Sequence, residues 1–236
     1  MMRLFYIRHA EPVYNPHSLT ELGFKQAEAL SVRLKNVNFD KIFASPAERT
    51  MLTATPTAKK LNMDIIEADF ANEKYAAEEF ATTVDGKITW IFSLDWAKRA
   101  FTSPEVRALG DRWFDYPAFK EYNFEKAINR VYNDVDKFML ELGYQHERYT
   151  GRYKIVKPKY NNVALVAHGG FGRAFLSCLL DIPYPQLAAH FEICYTGMTV
   201  IDFKECGEGY AIPVLKTFAS DGHLFSEKVE CEGIDY

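Results

Sequence analysis

The chain has 236 residues, of which 48% are hydrophobic, and its formal net charge at pH 7 is −4. This composition allows a substantial buried core, and the acidic balance argues against a general nucleic-acid binder, which carries a basic patch. No stretch approaches the roughly 18 uncharged apolar residues that a membrane span needs, and no long apolar stretch follows a basic start at the N-terminus. We therefore predict a globular protein without a membrane span, a signal peptide or a nucleic-acid partner.

The four cysteines are scattered along the chain without Cys-x-x-Cys spacing; they are Cys178, Cys194, Cys206 and Cys231. This spacing argues against a disulfide framework and against a zinc knuckle. Reduced thiols are typical of the cytosol, so we predict a cytoplasmic location.

The first third of the chain alternates between predicted strands and helices. Leu22, Gln26, Leu30 and Leu34 recur at helical spacing, and Thr20 before them is suited to cap the helix. The predicted elements are a strand at 2–8, a helix at 19–36, a strand at 40–45, a helix that begins near Pro46 and is kinked at Pro56, and a strand at 63–68.

The middle of the chain, at about 77–120, is rich in aromatic residues and charges and shows no clear strand. We interpret it as a mostly helical insertion whose aromatic side chains form a small satellite core over one edge of the domain. The elements predicted after it are a helix at 125–143 stopped by Gly143, a hairpin or surface strand at 149–156, a strand at 161–170, a helix at 170–181, and late strands at 198–203 and 211–218.

Strands that alternate with helices favour a parallel sheet covered on both faces. The predicted fold class is therefore α/β, a three-layer α/β/α sandwich with a mostly parallel central sheet and a helical insertion. The sequence shows no internal repeat and no obvious linker, which favours a single domain over residues 1–236.

The two most apolar predicted strands end in similar residues. One runs into Arg8 and His9, and the other runs into His168, Gly169 and Gly170. In a doubly wound sheet, ligands bind beyond the carboxyl ends of the strands, so both histidines are expected to face one pocket. The two glycines permit a tight turn and close approach of a ligand, and the helix that follows directs backbone N–H groups toward an anion.

A third strand end contributes an arginine to the same side. The segment SPAERT, at 45–50, follows the predicted strand at 40–45 and places Arg49 in the first turns of a helix. Two arginines and two histidines would repel one another in a core. Around a phosphate group, however, they would donate charge-assisted hydrogen bonds. The pattern therefore predicts a site for a small phosphorylated substrate.

These motifs, taken in order along the chain, resemble those of the histidine phosphatase superfamily, which is also called phosphoglycerate mutase-like. The resemblance spans almost the whole chain, with the middle insertion the least covered part. The matching segments are Arg8-His9, LTELGFKQA at 19–27, the run at 45–50, Ala167-His168-Gly169-Gly170 and GHL at 222–224.

The resemblance implies a role for each of these side chains. His9 would be the nucleophile that forms a phosphohistidine, and water would then hydrolyse that intermediate. His168 would be a charged hydrogen-bond donor to the transferring phosphoryl group, which Arg8 and Arg49 would also hold. Asn15 aligns with a pocket asparagine of the mutase branch, and Gly169 is expected to contact the substrate. The resemblance implies no metal and no cofactor.

A leaving alkoxide also needs a proton, and the family uses a carboxylic acid between the second and third motifs. The segment FANEKYAAEEF at 70–80 offers Glu73, Glu78 and Glu79. We select Glu73, because Asn72 to Tyr75 resemble the NERHYG stretch of phosphoglycerate mutases. Glu78 is the reserve candidate.

One residue departs from the family pattern, because Ala10 stands where the family usually has glycine. We expect its methyl group to crowd the pocket slightly. The function predicted is metal-independent hydrolysis of phosphomonoesters. The alternatives are a phosphoglycerate mutase-type transferase and a non-catalytic phosphate-binding regulatory module. The motifs select neither the physiological substrate nor the oligomeric state.

The remaining histidines belong to no paired pattern; they are His17, His146, His190 and His223. Among them, His223 has the strongest claim to support the site from behind. Asp134 and Asp136 are two residues apart on a predicted helix and point in different directions, which makes them a poor metal site.

Overall fold

A computed structural model describes residues 1–231 of the chain. The strands are β1 (Met2–Arg8), β2 (Pro12–Tyr14), β3 (His17–Leu19), β4 (Lys41–Ala44), β5 (Ile65–Glu67), β6 (Ala81–Val84), β7 (Lys87–Trp90), β8 (Tyr144–Glu147), β9 (Arg152–Ile155), β10 (Asn162–Ala167), β11 (Met198–Gly207) and β12 (Tyr210–Ser220). The helices are α1 (Glu21–Leu34), α2 (Glu48–Leu61), α3 (Glu73–Phe80), α4 (Asp95–Phe101), α5 (Pro104–Ala108), α6 (Phe124–Leu142), α7 (Gly169–Leu180), α8 (Tyr184–His190) and α9 (Gly222–Glu227).

Eight of these strands form one central sheet in the order β5-β4-β10-β1-β11-β12-β9-β8. The four strands β5, β4, β10 and β1 are mutually parallel, and pairing is antiparallel from β11 onward. The parallel half therefore brings the carboxyl ends of β4, β10 and β1 to one edge, where the predicted motifs lie.

Side chains of the buried strands alternate between the two faces of the sheet, so both faces are apolar. Helices cover each of these faces. In β1, Leu4 and Tyr6 pack in the core that contains α6 and α7, whereas Phe5 and Ile7 pack with residues of α1 and α2. The predicted α/β/α sandwich is confirmed. In the described part of the chain, no helix has both the length and the apolarity to cross a membrane. The organisation of 1–236 as one domain stays a prediction.

The segment at 77–120 differs from the sequence expectation in two ways. It is mostly helical, but it contains the hairpin β6–β7, whose turn is Asp85-Gly86 with positive φ at both residues. Asp-Gly is the typical sequence of a two-residue hairpin turn. The expectation of no strand was therefore wrong because this turn signal was overlooked. The aromatic residues form no separate satellite core, because Phe101, Trp113 and Phe119 belong to the same buried cluster as α6 and α7.

His146 lies in a buried ionic network away from the site. Its Nδ1 is 2.8 Å from Asp136 and its Nε2 is 3.1 Å from Asp181. Burial disfavours the charged ring, but the hydrogen bonds that it donates to these two carboxylates raise the pKa of His146. Asp134 pairs instead with Arg130, so the two aspartates do point in different directions.

Candidate active site

The site is assembled by three neighbouring parallel strands that end at the same level. In the register between β1 and β10, Arg8 lies opposite Ala167, so His9 and His168 follow side by side. Ser45 continues β4 and donates its backbone N–H to Val166 of β10. Residues from three distant parts of the sequence therefore meet at one edge of the sheet.

His9 is held in the state that a nucleophile needs. Its side chain is 3% exposed, and Nδ1 lies 2.7 Å from the carbonyl oxygen of Ala10. Only a protonated Nδ1 donates to that oxygen, so the lone pair of the neutral ring is on Nε2. Burial, together with the charges of Arg49 and Arg8, lowers the pKa of His9 to about 3.

His168 is fully buried, and its ring centroid is 5.2 Å from that of His9. Its Nε2 is 2.8 Å from Ser45 Oγ, and its Nδ1 is 3.0 Å from a guanidinium nitrogen of Arg49. Because Arg49 can only donate, Nδ1 accepts and Nε2 carries the proton. Burial and the neighbouring cations lower the pKa of His168 well below its usual value. The charged state expected of His168 when it holds a phosphoryl group stays a prediction.

Glu73 lies with the cations, whereas the other two carboxylate candidates do not. Glu73 accepts a hydrogen bond of 2.9 Å from Arg49 and one of 3.2 Å from the backbone N–H of Gly170. Glu79 is paired with Arg130 through both carboxylate oxygens, and Glu78 is exposed on α3. The geometry thus separates Glu73 from its neighbours as the carboxylate of this site.

The two arginines are oriented by aromatic rings that the sequence analysis did not single out. Arg8 donates to the carbonyl oxygen of Ile193 at 2.6 Å and lies over the ring of Tyr195, 3.9 Å from its centroid. The Arg49 guanidinium lies 5.6 Å from the ring centroid of Tyr14, and its Nε is buried without a hydrogen-bond partner. An unsatisfied buried donor beside two imidazoles is an anion-binding feature.

The glycines after His168 serve a different purpose from the one expected. Neither has positive φ among the described backbone angles, and both begin α7. A Cβ on Gly169 would lie 3.2 Å from Arg8 Nε, and one on Gly170 would lie 2.4 Å from the ring of Trp90. They therefore make room for an arginine and for Trp90, the residue that ends the β6–β7 hairpin. The missed hairpin is thus a wall of the site.

Two other residues singled out in the sequence lie in the segment that follows β1. Asn15 lies in the exposed turn between β2 and β3, next to Tyr14, and its contact with substrate stays a prediction. Ala10 is fully buried in a small apolar cluster with Leu19 and Ala27, so its methyl group packs away from the pocket and does not crowd it.

His223 supports the site from behind, as its place in the GHL segment suggested. It is 2% exposed, and its Nε2 is 3.0 Å from Thr196 Oγ1. Thr196 in turn donates its backbone N–H to the carbonyl oxygen of His9 at 3.3 Å. His223 is therefore connected to His9 through the side chain and the backbone N–H of Thr196.

The charge balance of the cluster suits an anion better than a cation. Ligand atoms of His9, Glu73 and His168 lie within 4.8 Å of one another, a spacing that metal ions also use. However, Arg49 lies between Glu73 and His168, at 2.9 Å and 3.0 Å, and its fixed positive charge would repel a metal ion there. A tetrahedral oxyanion would instead satisfy the donors of both arginines.

The three buried neutral histidines predict that the folded state loses stability in mild acid. Burial lowers the pKa of His9 to about 3, that of His223 to about 4, and that of His168 well below the usual value. Below about pH 6.5 these histidines bind protons in the unfolded chain but stay neutral in the folded chain. The free energy of unfolding therefore falls by up to about 1.4 kcal/mol per group and pH unit.

We therefore expect the free energy of unfolding, measured in urea, to fall steadily between pH 6.5 and 5. The variant His223→Gln should show a smaller slope over the same interval. An unfolding free energy that stays constant over this interval in the parent protein would contradict the neutral, buried state of these rings.

Comparisons with known proteins agree with this geometry. A family model described as the histidine phosphatase superfamily (branch 1) matches residues 4–83. The chain is 28% identical to phosphoserine phosphatase 1 of Hydrogenobacter thermophilus over 193 residues, which is 77% of this chain and 78% of that protein.

Solved structures share the fold. A mutant phosphoserine phosphatase of Entamoeba histolytica, in complex with phosphoserine, matches with a TM-score of 0.60 and 21% identity over 95% of this chain and all of that chain. A mycobacterial glucosyl-3-phosphoglycerate phosphatase matches with a TM-score of 0.59 and 19% identity, over 93% of this chain and 99% of that chain. The α-ribazole phosphatase of Shigella flexneri matches with a TM-score of 0.58 and 19% identity, over 93% and 97% of the two chains.

Proposed function

We propose that this chain belongs to the histidine phosphatase superfamily and that it hydrolyses phosphomonoesters of small molecules through a phosphohistidine on His9. The observation that carries the proposal is the meeting of His9 and His168 between Arg8 and Arg49 at the ends of β1, β10 and β4. A buried neutral imidazole beside two guanidinium groups is suited to attack phosphorus while the charge of the phosphoryl group is held by fixed donors.

In the first step, His9 Nε2 forms a bond to phosphorus and the bond from phosphorus to the ester oxygen breaks. Nδ1 keeps its proton and donates it in a hydrogen bond to the carbonyl oxygen of Ala10, which keeps the ring oriented and stabilises the positive charge that develops on it. The departing oxygen takes a proton from the carboxyl group of Glu73. An incoming phosphate group competes with Glu73 for the hydrogen bond that Arg49 donates, which frees the carboxyl group to contact the leaving oxygen.

Arg8, Arg49 and His168 hold the equatorial oxygens during the transfer. Phosphoryl transfer depends chiefly on positioning and on electrostatic stabilisation, which these donors supply from buried, preorganised positions. His168 is neutral in the anion-free site, but its Nδ1 is 3.4 Å from Glu73 and its surroundings become more negative when phosphate binds. We propose that His168 then gains a proton and donates to the phosphoryl group, and that no metal ion takes part.

In the second step, water attacks phosphorus, the bond from His9 Nε2 to phosphorus breaks, and phosphate leaves. Glu73 now accepts a proton from the water, which restores its protonated state for the next turnover. The same carboxyl group thus serves as acid and then as base, because it lies on the side of the phosphoryl group that faces the leaving oxygen.

The relatives named above act on phosphoserine, glucosyl-3-phosphoglycerate and α-ribazole phosphate, which are all small phosphorylated molecules. We propose the same substrate class here. The wall opposite the cations contains Trp90 stacked on Phe92, with ring centroids 5.5 Å apart. The guanidinium of Arg173 lies over the ring of Phe92, 4.2 Å from its centroid, and it donates to the carbonyl oxygens of Phe191 and Gly169. Because these hydrogen bonds already engage the cation at this wall, we favour the phosphatase over the mutase. We further propose a cytoplasmic location, where the free thiols stay reduced.

The test is a panel of phosphorylated metabolites and p-nitrophenyl phosphate, assayed for phosphate release in the presence of EDTA. We expect hydrolysis that does not depend on added metal. A phosphoenzyme that persists after the substrate is gone would instead identify a mutase, and binding of phosphate without hydrolysis of any ester would identify a non-catalytic module. Activity that is lost with EDTA and restored by a divalent cation, while the melting temperature stays unchanged, would contradict the metal-independent mechanism.

A further inference from the structure

A second cluster of potential ligands lies outside the active site. Cys194, Asp221 and Cys231 come from three separate segments: the loop after α8, the residue before α9 and the segment after α9. Their sulfur and carboxylate atoms all lie within 4.8 Å of one another. Neither the spacing of the cysteines in the sequence nor the phosphatase chemistry explains this convergence.

The geometry fits a small tetrahedral cation. Zinc binds thiolate sulfur at about 2.3 Å and carboxylate oxygen at about 2.0–2.2 Å, so neighbouring ligand atoms lie roughly 3.5–3.8 Å apart. The ligand atoms of the cluster all lie within 4.8 Å of one another, so small side-chain adjustments would bring them to this spacing. Cys231 is 7% exposed and packs with Ala29 and Leu224, so the ligands approach one another within an otherwise apolar patch.

We propose that Cys194, Asp221 and Cys231 bind a zinc ion, with a water molecule as the fourth ligand. Two sulfurs and one carboxylate oxygen form a borderline-soft set that favours zinc over magnesium or calcium, which prefer oxygen ligands alone. Binding releases the protons of the two thiols, because the thiolates are the ligands.

A disulfide between Cys194 and Cys231 is the competing use of the same cluster. Both cysteines are free thiols in the structure. A disulfide would not use the carboxylate of Asp221, whose oxygen lies within 4.8 Å of both sulfur atoms. A cation, in contrast, would be attracted by the same carboxylate and would stabilise both thiolates directly.

The site would connect the segment after α9 to the loop that orients Arg8. Cys194 lies between Ile193, whose carbonyl oxygen accepts a hydrogen bond from Arg8, and Tyr195, whose ring lies under Arg8. Zinc bound here would fasten Cys231 to this loop. We therefore expect zinc to raise the melting temperature of the full chain.

The test uses the reduced full chain titrated with Co²⁺, followed by displacement with Zn²⁺. We expect thiolate-to-cobalt charge-transfer absorption that saturates at an equimolar amount of Co²⁺ and disappears when Zn²⁺ is added. The variants Cys194→Ser and Cys231→Ser should lose this absorption, with zinc binding weakened by at least about 100-fold. Cys206→Ser is the matched control, because Cys206 is exposed and outside the cluster, and it should behave like the parent.

Two features keep the result interpretable. Cobalt bound to His9, Glu73 and His168 would give no thiolate charge transfer, so the active site cannot produce the signal. The far-ultraviolet circular dichroism of each serine variant shows whether it is folded, and Asp221→Asn provides a further variant that retains both thiols. Absence of the absorption in the reduced parent protein, or its persistence in Cys231→Ser, would overturn the proposal.

Discussion

Replacing His9 with asparagine is expected to lower kcat by at least about 10⁴-fold, because loss of a covalent nucleophile costs more than loss of any single stabilising donor. Asparagine keeps a side-chain N–H near the carbonyl oxygen of Ala10, so the local fold should be maintained. Phosphate should still bind, because Arg8, Arg49 and His168 remain. The measurement is kcat for phosphate release, combined with the affinity for inorganic phosphate.

The control for this variant is His190→Asn, since His190 is exposed at the end of α8 and lies outside the cluster. Its kcat should equal that of the parent protein. If His9→Asn instead kept a kcat within a factor of about 10 of the parent, the covalent role of His9 would be wrong.

Replacing Glu73 with glutamine is expected to lower kcat by about 10²–10⁴-fold for alkyl phosphates, because an alkoxide cannot leave without a proton. The effect should be much smaller for p-nitrophenyl phosphate, whose leaving group is stable as an anion. Glu73 accepts from Arg49 and from Gly170 through separate oxygens, and glutamine, with one acceptor oxygen of similar size and position, keeps one of these two hydrogen bonds. The measurement is kcat for both classes of ester with the same variant.

Glu78→Gln is the matched control, because Glu78 is on the same helix but exposed to solvent. It should leave kcat unchanged for both ester classes. An equal loss for alkyl and aryl esters in Glu73→Gln would mean that Glu73 positions Arg49 and does not donate a proton.

The convergence of the two arginines and the two histidines could be predicted from the sequence because it follows from strand order. Strands β1 and β10 are continuous apolar runs that end in Arg8-His9 and His168, and parallel neighbours carry their final residues to the same edge. Arg49 follows the same rule through β4. Neither the motif match nor the strand rule required knowledge of side-chain conformation.

What the sequence could not supply were the contacts between side chains of different segments. Ala10 was expected to crowd the pocket, but it packs with Leu19 and Ala27. These two residues come close to Ala10 only because the chain turns back between β3 and α1. The neutral state of His168 depends on burial and on the nearby Arg49, and neither can be read from a linear pattern. The cluster of Cys194 with Cys231 depends in the same way on how α9 folds back onto α1.

The β6–β7 hairpin is an intermediate case. Its Asp85-Gly86 turn was a readable signal, but the aromatic residues around it suggested a helical insertion. Only the structure shows that this hairpin carries Trp90 to the start of α7, where the absence of a side chain on Gly170 leaves room for the indole. A local turn was therefore predictable, whereas its role as a wall of the site was not.

The central claim is that Arg8, His9, Arg49 and His168 surround a single phosphoryl group. The most direct measurement is a crystal structure of the protein soaked with orthovanadate, which mimics phosphorus during transfer. The account predicts vanadium bonded to His9 Nε2, with its oxygens at about 2.7–3.2 Å from donors of Arg8, Arg49 and His168. Vanadate bound at another place, or in this pocket with His9 Nε2 directed away from the metal, would contradict it.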